Sequence, residues 1–363
     1  MNFYLENRLD WPEKKIAFCN DFCSDNSIPK FILGRNIYSD SVANSISITG
    51  FIDDFTKDSS YMGLPILKTS DVPKSALVLN ASGGRPHSAK ARLDSAGLIN
   101  LDYFAFYKIT SISSLVPIRF NEGFQEEFLT NRIQYEWAYN LLKDTQSRTT
   151  FEKLVRFRFD YDISNLEGFT QREDVQYFED FLKLGANDET FLDVGCFDGY
   201  TSLEFIRRCP HYHAIYAFEP DDANFKISSE NLAAHPNVQI FSKGLSDKTA
   251  TLNFDVSGSA SRISETGAVS IDVVRLDDLN IHKPTLIKMD IEGGELAAID
   301  GATNTIAKAH PKLAISAYHS AGDFWRIPQK ILAIRNDYDV YMRHYTECIY
   351  ETVLFFIPKE SRG

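Results

Sequence analysis

In the second half of the chain, apolar strand patterns separated by glycine turns alternate with segments of helical periodicity. One apolar strand ends in Asp193, continues into a turn that carries Gly195 and Gly199, and leads into a helix pattern. The next apolar strand, Ala214–Phe218, is followed by Glu219. A strand, a glycine turn, a helix and a strand that ends in a carboxylate form half of a nucleotide-binding sheet. The pattern therefore predicts a ligand site at the carboxyl ends of these strands.

The hydrophobic pattern divides the chain into three predicted regions. Residues 1–120 predict a small Rossmann-like α/β domain with a parallel sheet, with strands at 30–34, 47–53, 76–81 and 100–107 and helices at 36–45 and 87–95. Residues 121–185 predict a helical connection, with helices at 126–143, 150–157 and 171–184. Residues 186–363 continue the alternation and predict a second α/β domain, with a hairpin at 249–254 and 269–273 and two adjacent C-terminal strands.

Composition and charge narrow the expected partners. The 363 residues carry a net charge of −12 and have a pI near 5.2, which disfavours a nucleic-acid partner. No apolar run is long enough to span a bilayer, and the first ten residues lack the apolar core of a signal peptide, so we expect a cytoplasmic protein. The five scattered cysteines are typical of small buried side chains in a reducing compartment. The sequence leaves the oligomeric state open.

Four segments of the second half occur together in a specific order: residues 193–199 (DVGCFDG), 218–220 (FEP), 288–295 (KMDIEGGE) and 318–325 (YHSAGDFW). With residues 343–344 and 351–354, they resemble the FkbM family of S-adenosylmethionine (SAM)-dependent methyltransferases over about 150–358. The resemblance implies a class I methyltransferase sheet, SAM as cofactor and transfer of a methyl group to a hydroxyl. Members of the family differ widely in acceptor.

The first region resembles the small Rossmann-like N-terminal domain of some nucleotide-sugar acyltransferases, through residues 31–34, 50–54 and 63–67. This resemblance implies that the acceptor is a glycan, a nucleotide-sugar or a related small molecule. Arg35 and Asn36 stand where a dinucleotide site would have more glycine. We therefore expect this domain to present or select substrate, with nucleotide binding as the alternative.

The predicted cofactor residues lie in the glycine turn and at the ends of later strands. Glu219 is expected to bind the ribose hydroxyls, and Asp193 to orient either the methionyl ammonium or the turn itself. Some positions keep a structural alternative: Asp198 as a turn residue, Pro220 as a helix-entry residue, and the 246–247 pair as a plain loop. The full predicted set is Asp193, Gly195, Cys196, Phe197, Asp198, Gly199, Glu219, Pro220, Ser246, Asp247 and Asp290.

Three residues are predicted to act on the acceptor. His319 is the predicted general base, because an unperturbed histidine titrates near the working pH. Asp290 is expected to position the acceptor or to act as the base instead. Glu292 is a third candidate, although it and Glu295 could equally be acids that stabilise a helix N-terminus. Asp290, Glu292 and His319 could also bind a divalent cation, but no spacing requires one, so the metal ligands stay unknown.

Two other functional classes use similar sequence features. An NAD(P)-linked oxidoreductase would use the same turn, but the glycine pattern lacks the complete phosphate-binding form. A non-catalytic module that binds SAM or a sugar nucleotide would keep the cofactor residues without turnover. Ligand titration and an acceptor assay distinguish these classes from a methyltransferase.

Overall fold

The structure, a computed structural model, describes residues 11–24, 27–185, 188–255, 262–263 and 269–360. The chain divides into two compact units. The first comprises residues 1–125, 152–171 and 345–350, and the second comprises 126–151, 172–344 and 351–363. Residues of the predicted connection 121–185 thus belong to both units. The first ten residues, on which the export prediction rests, lie outside the described residues. Among the helices described, none is long and apolar enough to cross a membrane.

The first unit contains the predicted parallel sheet. Its elements are α1 (Glu13–Ser24), β1 (Lys30–Leu33), α2 (Ile37–Ser45), β2 (Gly50–Ile52), β3 (Ser60–Tyr61), β4 (Leu64–Leu67), β5 (Leu77–Asn80), α3 (Pro86–Ser95), β6 (Ile99–Asp102) and α4 (Tyr103–Thr110). The strand order is β3-β4-β2-β1-β5-β6; β1, β2, β4, β5 and β6 are parallel as predicted, whereas the edge strand β3 is antiparallel to β4. Phe31, Ile52, Val78 and Leu93 belong to the apolar core that joins these strands to α3.

The strand predicted over 100–107 was wrong beyond Asp102. The strand ends there, and the Asp102 side chain accepts a hydrogen bond from the Ala105 backbone N–H at 2.9 Å, which caps α4. The four residues 103–106 are all buried. A short, fully buried apolar run has no polar face, so its periodicity cannot distinguish a helix from a strand.

The predicted helices of 121–185 are only partly observed. The helix predicted over 126–143 is two helices, α5 (Phe124–Thr130) and α6 (Arg132–Leu141), and the next helix, α7 (Thr145–Asp160), is longer than predicted. Over 171–184, all of which the structure describes, there are only short 3₁₀ turns at Glu173–Val175 and Asp180–Leu182. Tyr177 and Lys183 have positive φ angles of 70° and 45°, which a helix cannot contain.

The second unit contains a seven-stranded sheet in a Rossmann-like fold. Its elements are β7 (Thr190–Val194), α8 (Tyr200–Arg208), β8 (Ala214–Phe218), α9 (Asp222–Leu232), β9 (Val238–Phe241), β10 (Gly244–Leu245), β11 (Ala250–Asp255), β12 (Arg262–Ile263), β13 (Val269–Val274), β14 (Leu286–Met289), α10 (Glu295–Gly301), α11 (Thr303–Ala309), β15 (Lys312–Ser316), α12 (Asp323–Ile334), β16 (Tyr338–His344) and β17 (Thr352–Pro358). The predicted hairpin is confirmed, because β11 pairs antiparallel with β13.

The strand order of this sheet determines where a ligand can bind. The order is β16-β17-β15-β14-β7-β8-β9, with β17 antiparallel to β15 and the central strands parallel. The chain runs outward from β7 to β9 and then returns to β14 on the other side of β7. Ligands of open α/β sheets bind outside the carboxyl ends of the strands at such a switch point. The ends of β7 and β14 are therefore expected to flank the functional site.

Candidate active site

The glycine turn after β7 is anchored by a buried ion pair. Lys288 Nζ lies 3.1 Å from Asp193 Oδ1 and also donates a hydrogen bond to the Gly195 carbonyl. Ser202 Oγ donates to the other oxygen of Asp193 at 2.7 Å. Burial disfavours the charged lysine, but Asp193 and Asp290 outweigh burial and raise the pKa of Lys288. Because Asp193 has no exposed surface, its geometry favours the predicted loop-orienting role over contact with a ligand.

Gly195 packs directly on the segment that follows β14. It has a φ of +76°, and a Cβ at this position would stand 2.0 Å from the Asp290 carbonyl oxygen. The Asp290 backbone N–H donates to the Val194 carbonyl at 3.0 Å, so the ends of β7 and β14 are also joined by a hydrogen bond. The turn predicted to hold the cofactor is therefore in backbone contact with the acid predicted to act on the acceptor.

Glu219 connects the ends of β7 and β8. Its Oε2 accepts a hydrogen bond from the Phe197 N–H at 2.9 Å, and its Oε1 accepts one from the Asp221 N–H at 3.0 Å. Burial raises the pKa of this carboxyl group. A carboxylate oxygen has two lone pairs, so each oxygen can accept one further hydrogen bond from a ligand.

The remaining predicted cofactor residues differ in what they contact. The Cys196 thiol is buried, and burial raises its pKa to about 12. Phe197 is 63% exposed with a φ of +51°, an outlier for a bulky residue. Asp198 accepts from the Tyr200 N–H at 3.0 Å, as a turn residue does. Four others complete the set: Gly199, buried with a φ of +87°, directly precedes α8, Pro220 is half-buried, and buried Ser246 donates to exposed Asp247 at 3.1 Å.

Asp290 lies at the centre of a polar network beyond the end of β14. Tyr177 donates its hydroxyl to Asp290 Oδ2 at 2.7 Å and lies 3.2 Å from Ser316 Oγ. The Tyr318 hydroxyl oxygen lies 3.5 Å from Oδ1, and His319 Nε2 lies 3.4 Å from the same oxygen. The Asp290 side chain stays 21% exposed, so it can contact a ligand as well as these neighbours.

His319 is held between two carboxylates. Its Nδ1 lies 3.0 Å from Glu295 Oε1, and that oxygen also accepts the Ile291 N–H at 2.9 Å. Burial lowers the pKa of His319, but Glu295 and Asp290 together with Glu292 outweigh burial and raise it to about 9. This shift favours the charged imidazole at neutral pH, a form that cannot accept a proton. It argues against the predicted role of His319 as general base, which assumed an ordinary histidine pKa, and that role stays a prediction.

Glu351 extends the network to the start of β17. Tyr318 donates to Glu351 Oε1 at 3.1 Å, and Gln176 Nε2 donates to Oε2 at 2.5 Å. Neither Gln176, Tyr177 nor Glu351 was among the predicted site residues. Gln176 and Tyr177 lie in the stretch predicted to be a helix, so no pattern placed them near the sheet. Glu351 carried a usable signal, since it precedes an apolar strand within a segment that resembles the family.

The acids around His319 offer a partial set of ligand atoms for a metal ion. Among the described residues, Asp290, Glu295 and His319 offer ligand atoms within 4.8 Å of one another. However, His319 presents Nδ1 to one carboxylate and Nε2 to the other, and one ion can bind only one ring nitrogen. A protonated imidazole carries a hydrogen on each ring nitrogen, and the two nitrogens lie 3.0 and 3.4 Å from the two carboxylates. Glu292, the third ligand suggested by the sequence, is exposed and outside this group. The residues thus fit an ion-paired histidine better than a metal centre.

Comparison with known proteins finds a family model, a curated relative and a solved structure with clear similarity to this chain. Residues 184–347 match the family model of the methyltransferase FkbM domain. The hexuronic acid methyltransferase AglP of Haloferax volcanii is 26% identical over 159 residues, which are 40% of this chain and 65% of that protein. The match thus spans a little under two-thirds of that relative. The crystal structure of methyltransferase FkbM from Methylobacillus flagellatus KT is similar with a TM-score of 0.77 at 22% identity, covering 95% of this chain and 94% of that one.

These matches confirm part of the sequence interpretation. The match to the FkbM domain model over residues 184–347 supports the resemblance to methyltransferases in that region, and the structural match shows that the two chains share a Rossmann-like fold. The resemblance of the first region to an acyltransferase domain stays a prediction.

Proposed function

We propose that this chain transfers the methyl group of SAM to a hydroxyl of a glycan, a nucleotide-sugar or a related small molecule. The observation that supports this most directly is the backbone contact between Gly195 and Asp290. It brings the cofactor turn and the acceptor-side acids to the same edge of the sheet. A methyl donor bound on the turn would then lie beside carboxylates that can hold a hydroxyl.

The cofactor would bind over the ends of β7 and β8. The free lone pairs of Glu219 can accept hydrogen bonds from the two ribose hydroxyls, as the acid at this strand end does in other nucleotide-binding sheets. The glycine turn leaves its backbone open to the rest of the cofactor. SAM contains no pyrophosphate, so the turn does not need the complete phosphate-binding glycine pattern.

The acceptor side must meet two requirements. The sulfonium methyl is already activated, so the acceptor oxygen has to be held in line with it, at about 3–3.5 Å. The hydroxyl must also lose its proton as the oxygen attacks. Asp290, partly exposed and held by the Tyr177 hydroxyl, is suited to accept a hydrogen bond from a hydroxyl of the acceptor other than the one that is methylated. Charged His319 holds Asp290 in place rather than serving as the base.

A sugar hydroxyl is the acceptor that we propose. Two similarities support this choice. The first region resembles a nucleotide-sugar acyltransferase domain, and this chain is 26% identical over 159 residues to a hexuronic acid methyltransferase. Carboxylates and tyrosine hydroxyls, which make up the network around Asp290, are also side chains that hydrogen-bond sugar hydroxyls.

Cofactor binding is tested by calorimetric titration of the full chain with SAM and with S-adenosylhomocysteine. Glu219→Ala should weaken binding about 10- to 100-fold, because hydrogen bonds to a charged group contribute about 1.5–3 kcal/mol. Glu230→Ala, an exposed acid on α9, is the matched control and should bind like wild type. NADH binding is measured by fluorescence in parallel. The proposal would be refuted if wild-type protein bound NADH but not SAM.

Turnover is tested with tritium-labelled SAM and a panel of acceptors. The panel contains methyl glycosides of neutral hexoses, methyl glycosides of hexuronic acids, and the corresponding nucleotide-sugars. Labelled methyl ether in at least one product is the expected result. Tight SAM binding without transfer to any member would instead favour the non-catalytic binding module.

A further inference from the structure

We propose that Glu351 accepts the proton of the reacting hydroxyl, while Asp290 positions the acceptor by accepting a hydrogen bond from a second hydroxyl. The proposal rests on the proposed methyltransferase function and assigns a residue to its proton transfer. Glu351 precedes β17 and Asp290 follows β14, on either side of β15. The hydroxyl of Tyr318 lies between them, 3.1 Å from Glu351 Oε1 and 3.5 Å from Asp290 Oδ1. Two carboxylates from separate strands thus face one position at the carboxyl edge of the sheet.

The contacts of Glu351 leave it able to take a proton. Gln176 and Tyr318 each donate one hydrogen bond to a different oxygen of its carboxylate, and each oxygen keeps a second lone pair. The pKa of Tyr318 is raised well above its usual value by burial and by Asp290 and Glu351, so it remains a donor. The residue Glu351 is half-buried, so part of it stays open to solvent.

The backbone at Glu351 supports a functional role. Its φ is +61°, in the left-handed region that non-glycine residues seldom occupy. Such a conformation costs about 1–3 kcal/mol and persists where the surrounding structure imposes it, often at active sites. Here it coincides with the point where the chain enters β17 and directs a carboxylate toward Tyr318.

The groups around Glu351 raise its pKa toward neutral pH. The ionisable groups that face it are Asp290, Tyr318, Tyr177 and His319. Burial and the charge of Asp290 outweigh the opposing contacts and raise the pKa of Glu351 to about 7. A general base is most effective when its pKa lies near the operating pH. His319 is already protonated at that pH, so it cannot compete for the proton.

The step is balanced without any further reactant. The acceptor oxygen attacks the sulfonium methyl, a C–O bond forms, and the C–S bond breaks with its electron pair going to sulfur. The O–H bond breaks as its proton passes to the Glu351 carboxylate. The products are a methyl ether, neutral S-adenosylhomocysteine and a protonated Glu351, which returns the proton to water.

The proposal is tested on the full chain with Glu351→Gln, Glu351→Asp and, as the matched control, Glu173→Gln, an exposed acid of the same segment as Gln176. Initial rates are measured between pH 5.5 and 9 with labelled SAM and the best acceptor of the panel. Glu351→Gln should lower kcat about 10²- to 10⁴-fold and remove the acidic limb of the pH profile near 7, with SAM affinity unchanged. Glu351→Asp should retain the limb at reduced kcat, and Glu173→Gln should behave like wild type. A Glu351→Gln protein that keeps both kcat and the acidic limb would overturn the proposal.

A second measurement needs no acceptor. Carboxyl carbons of glutamate are labelled with ¹³C, and the resonance that Glu351→Gln removes is followed by NMR through a pH titration. A midpoint near 7 that falls in Asp290→Asn is expected, whereas a midpoint in the ordinary range near about 4.3 would overturn the proposal. If wild type binds SAM but methylates no acceptor, the proposed function fails, and this titration still decides whether Glu351 has the required proton affinity.

Discussion

Gly195 lies against the main-chain carbonyl of Asp290 so closely that a Cβ on Gly195 would stand 2.0 Å from that oxygen. The obstructing atom is backbone, so it cannot move aside as the end of a flexible side chain could. This contact sets the distance between the turn that would hold the cofactor and the carboxylate that would hold the acceptor.

Gly195→Ala should therefore impair both stability and cofactor binding. The substitution places a side chain at a φ of +76° and forces the turn away from Asp290. Backbone strain and overpacking together should lower the free energy of unfolding by about 2–5 kcal/mol. Urea unfolding and SAM calorimetry measure the two effects.

Gly97→Ala is the matched control, because it introduces backbone strain without the steric clash expected at Gly195. Gly97 has a φ of +64°, but a Cβ there would meet no atom within 4 Å. It should cost only the strain, about 1 kcal/mol, and leave SAM affinity unchanged. Equal losses of stability in the two variants would show that the contact with Asp290 is unimportant.

The buried pair of Lys288 and Asp193 should be costly to break on one side only. Lys288→Met leaves Asp193 charged and buried, which should destabilise the protein by about 3–5 kcal/mol in urea unfolding. Lys330→Met removes an ion pair with Asp300 whose side chains are 29% and 50% exposed, so it should cost at most about 1 kcal/mol.

A double variant distinguishes stability from positioning. Lys288→Met with Asp193→Leu removes both charges and should recover much of the lost stability. It still lacks the hydrogen bond to the Gly195 carbonyl, so SAM binding should stay weak. Full recovery of SAM affinity would argue against an anchoring role for Lys288.

His319 should titrate far above an ordinary histidine. Its neighbours raise its pKa to about 9 in the folded protein, against 6.5 for an ordinary histidine. NMR of the imidazole Cε1–H should give this midpoint, and Glu295→Gln should lower it, because Glu295 contributes the largest favourable interaction. A midpoint near 6.5 in wild type would contradict the ion-paired geometry.

The same shift predicts how stability depends on pH. Because the pKa of His319 is higher in the folded protein than in the unfolded chain, the charged imidazole stabilises the fold. This contribution to the free energy of unfolding is complete below about pH 6.5. It is lost as the pH rises through 9, by roughly 3 kcal/mol in total. His319→Gln should lack this loss when urea unfolding is compared between pH 6.5 and 9.5.

Thiol reactivity offers a further check of the packing. Cys23 is exposed, whereas the other four cysteines are buried, and burial raises the pKa of Cys19 and Cys196 to about 12. Ellman's reagent at pH 8 should therefore modify one thiol in the native protein and five after unfolding. Cys23→Ser should abolish the native reaction, and rapid modification of a second thiol would contradict the structure.

The order of elements in the second unit could be derived from local pattern. Apolar runs such as Ala214–Phe218, separated by glycine turns and helical periodicity, are enough to predict parallel strands joined by helices. Glu219 and Asp290 were placed correctly at strand ends because the carboxyl ends of parallel strands share one edge of the sheet. Strand position and strand-end acids can be predicted in this way because they depend on residues that are close together in the sequence.

Tertiary structure decided the features that depend on distant residues. The run 103–106 became a helix because burial on all sides removed any periodic signal, and 171–184 did not become a helix because Tyr177 turns with a positive φ toward Asp290. Likewise, the raised pKa of His319 follows from Glu295 and Asp290, and that of Glu351 from burial and the charge of Asp290. A pKa is determined by solvent exclusion and by charges within a few ångströms, and only the folded chain specifies both.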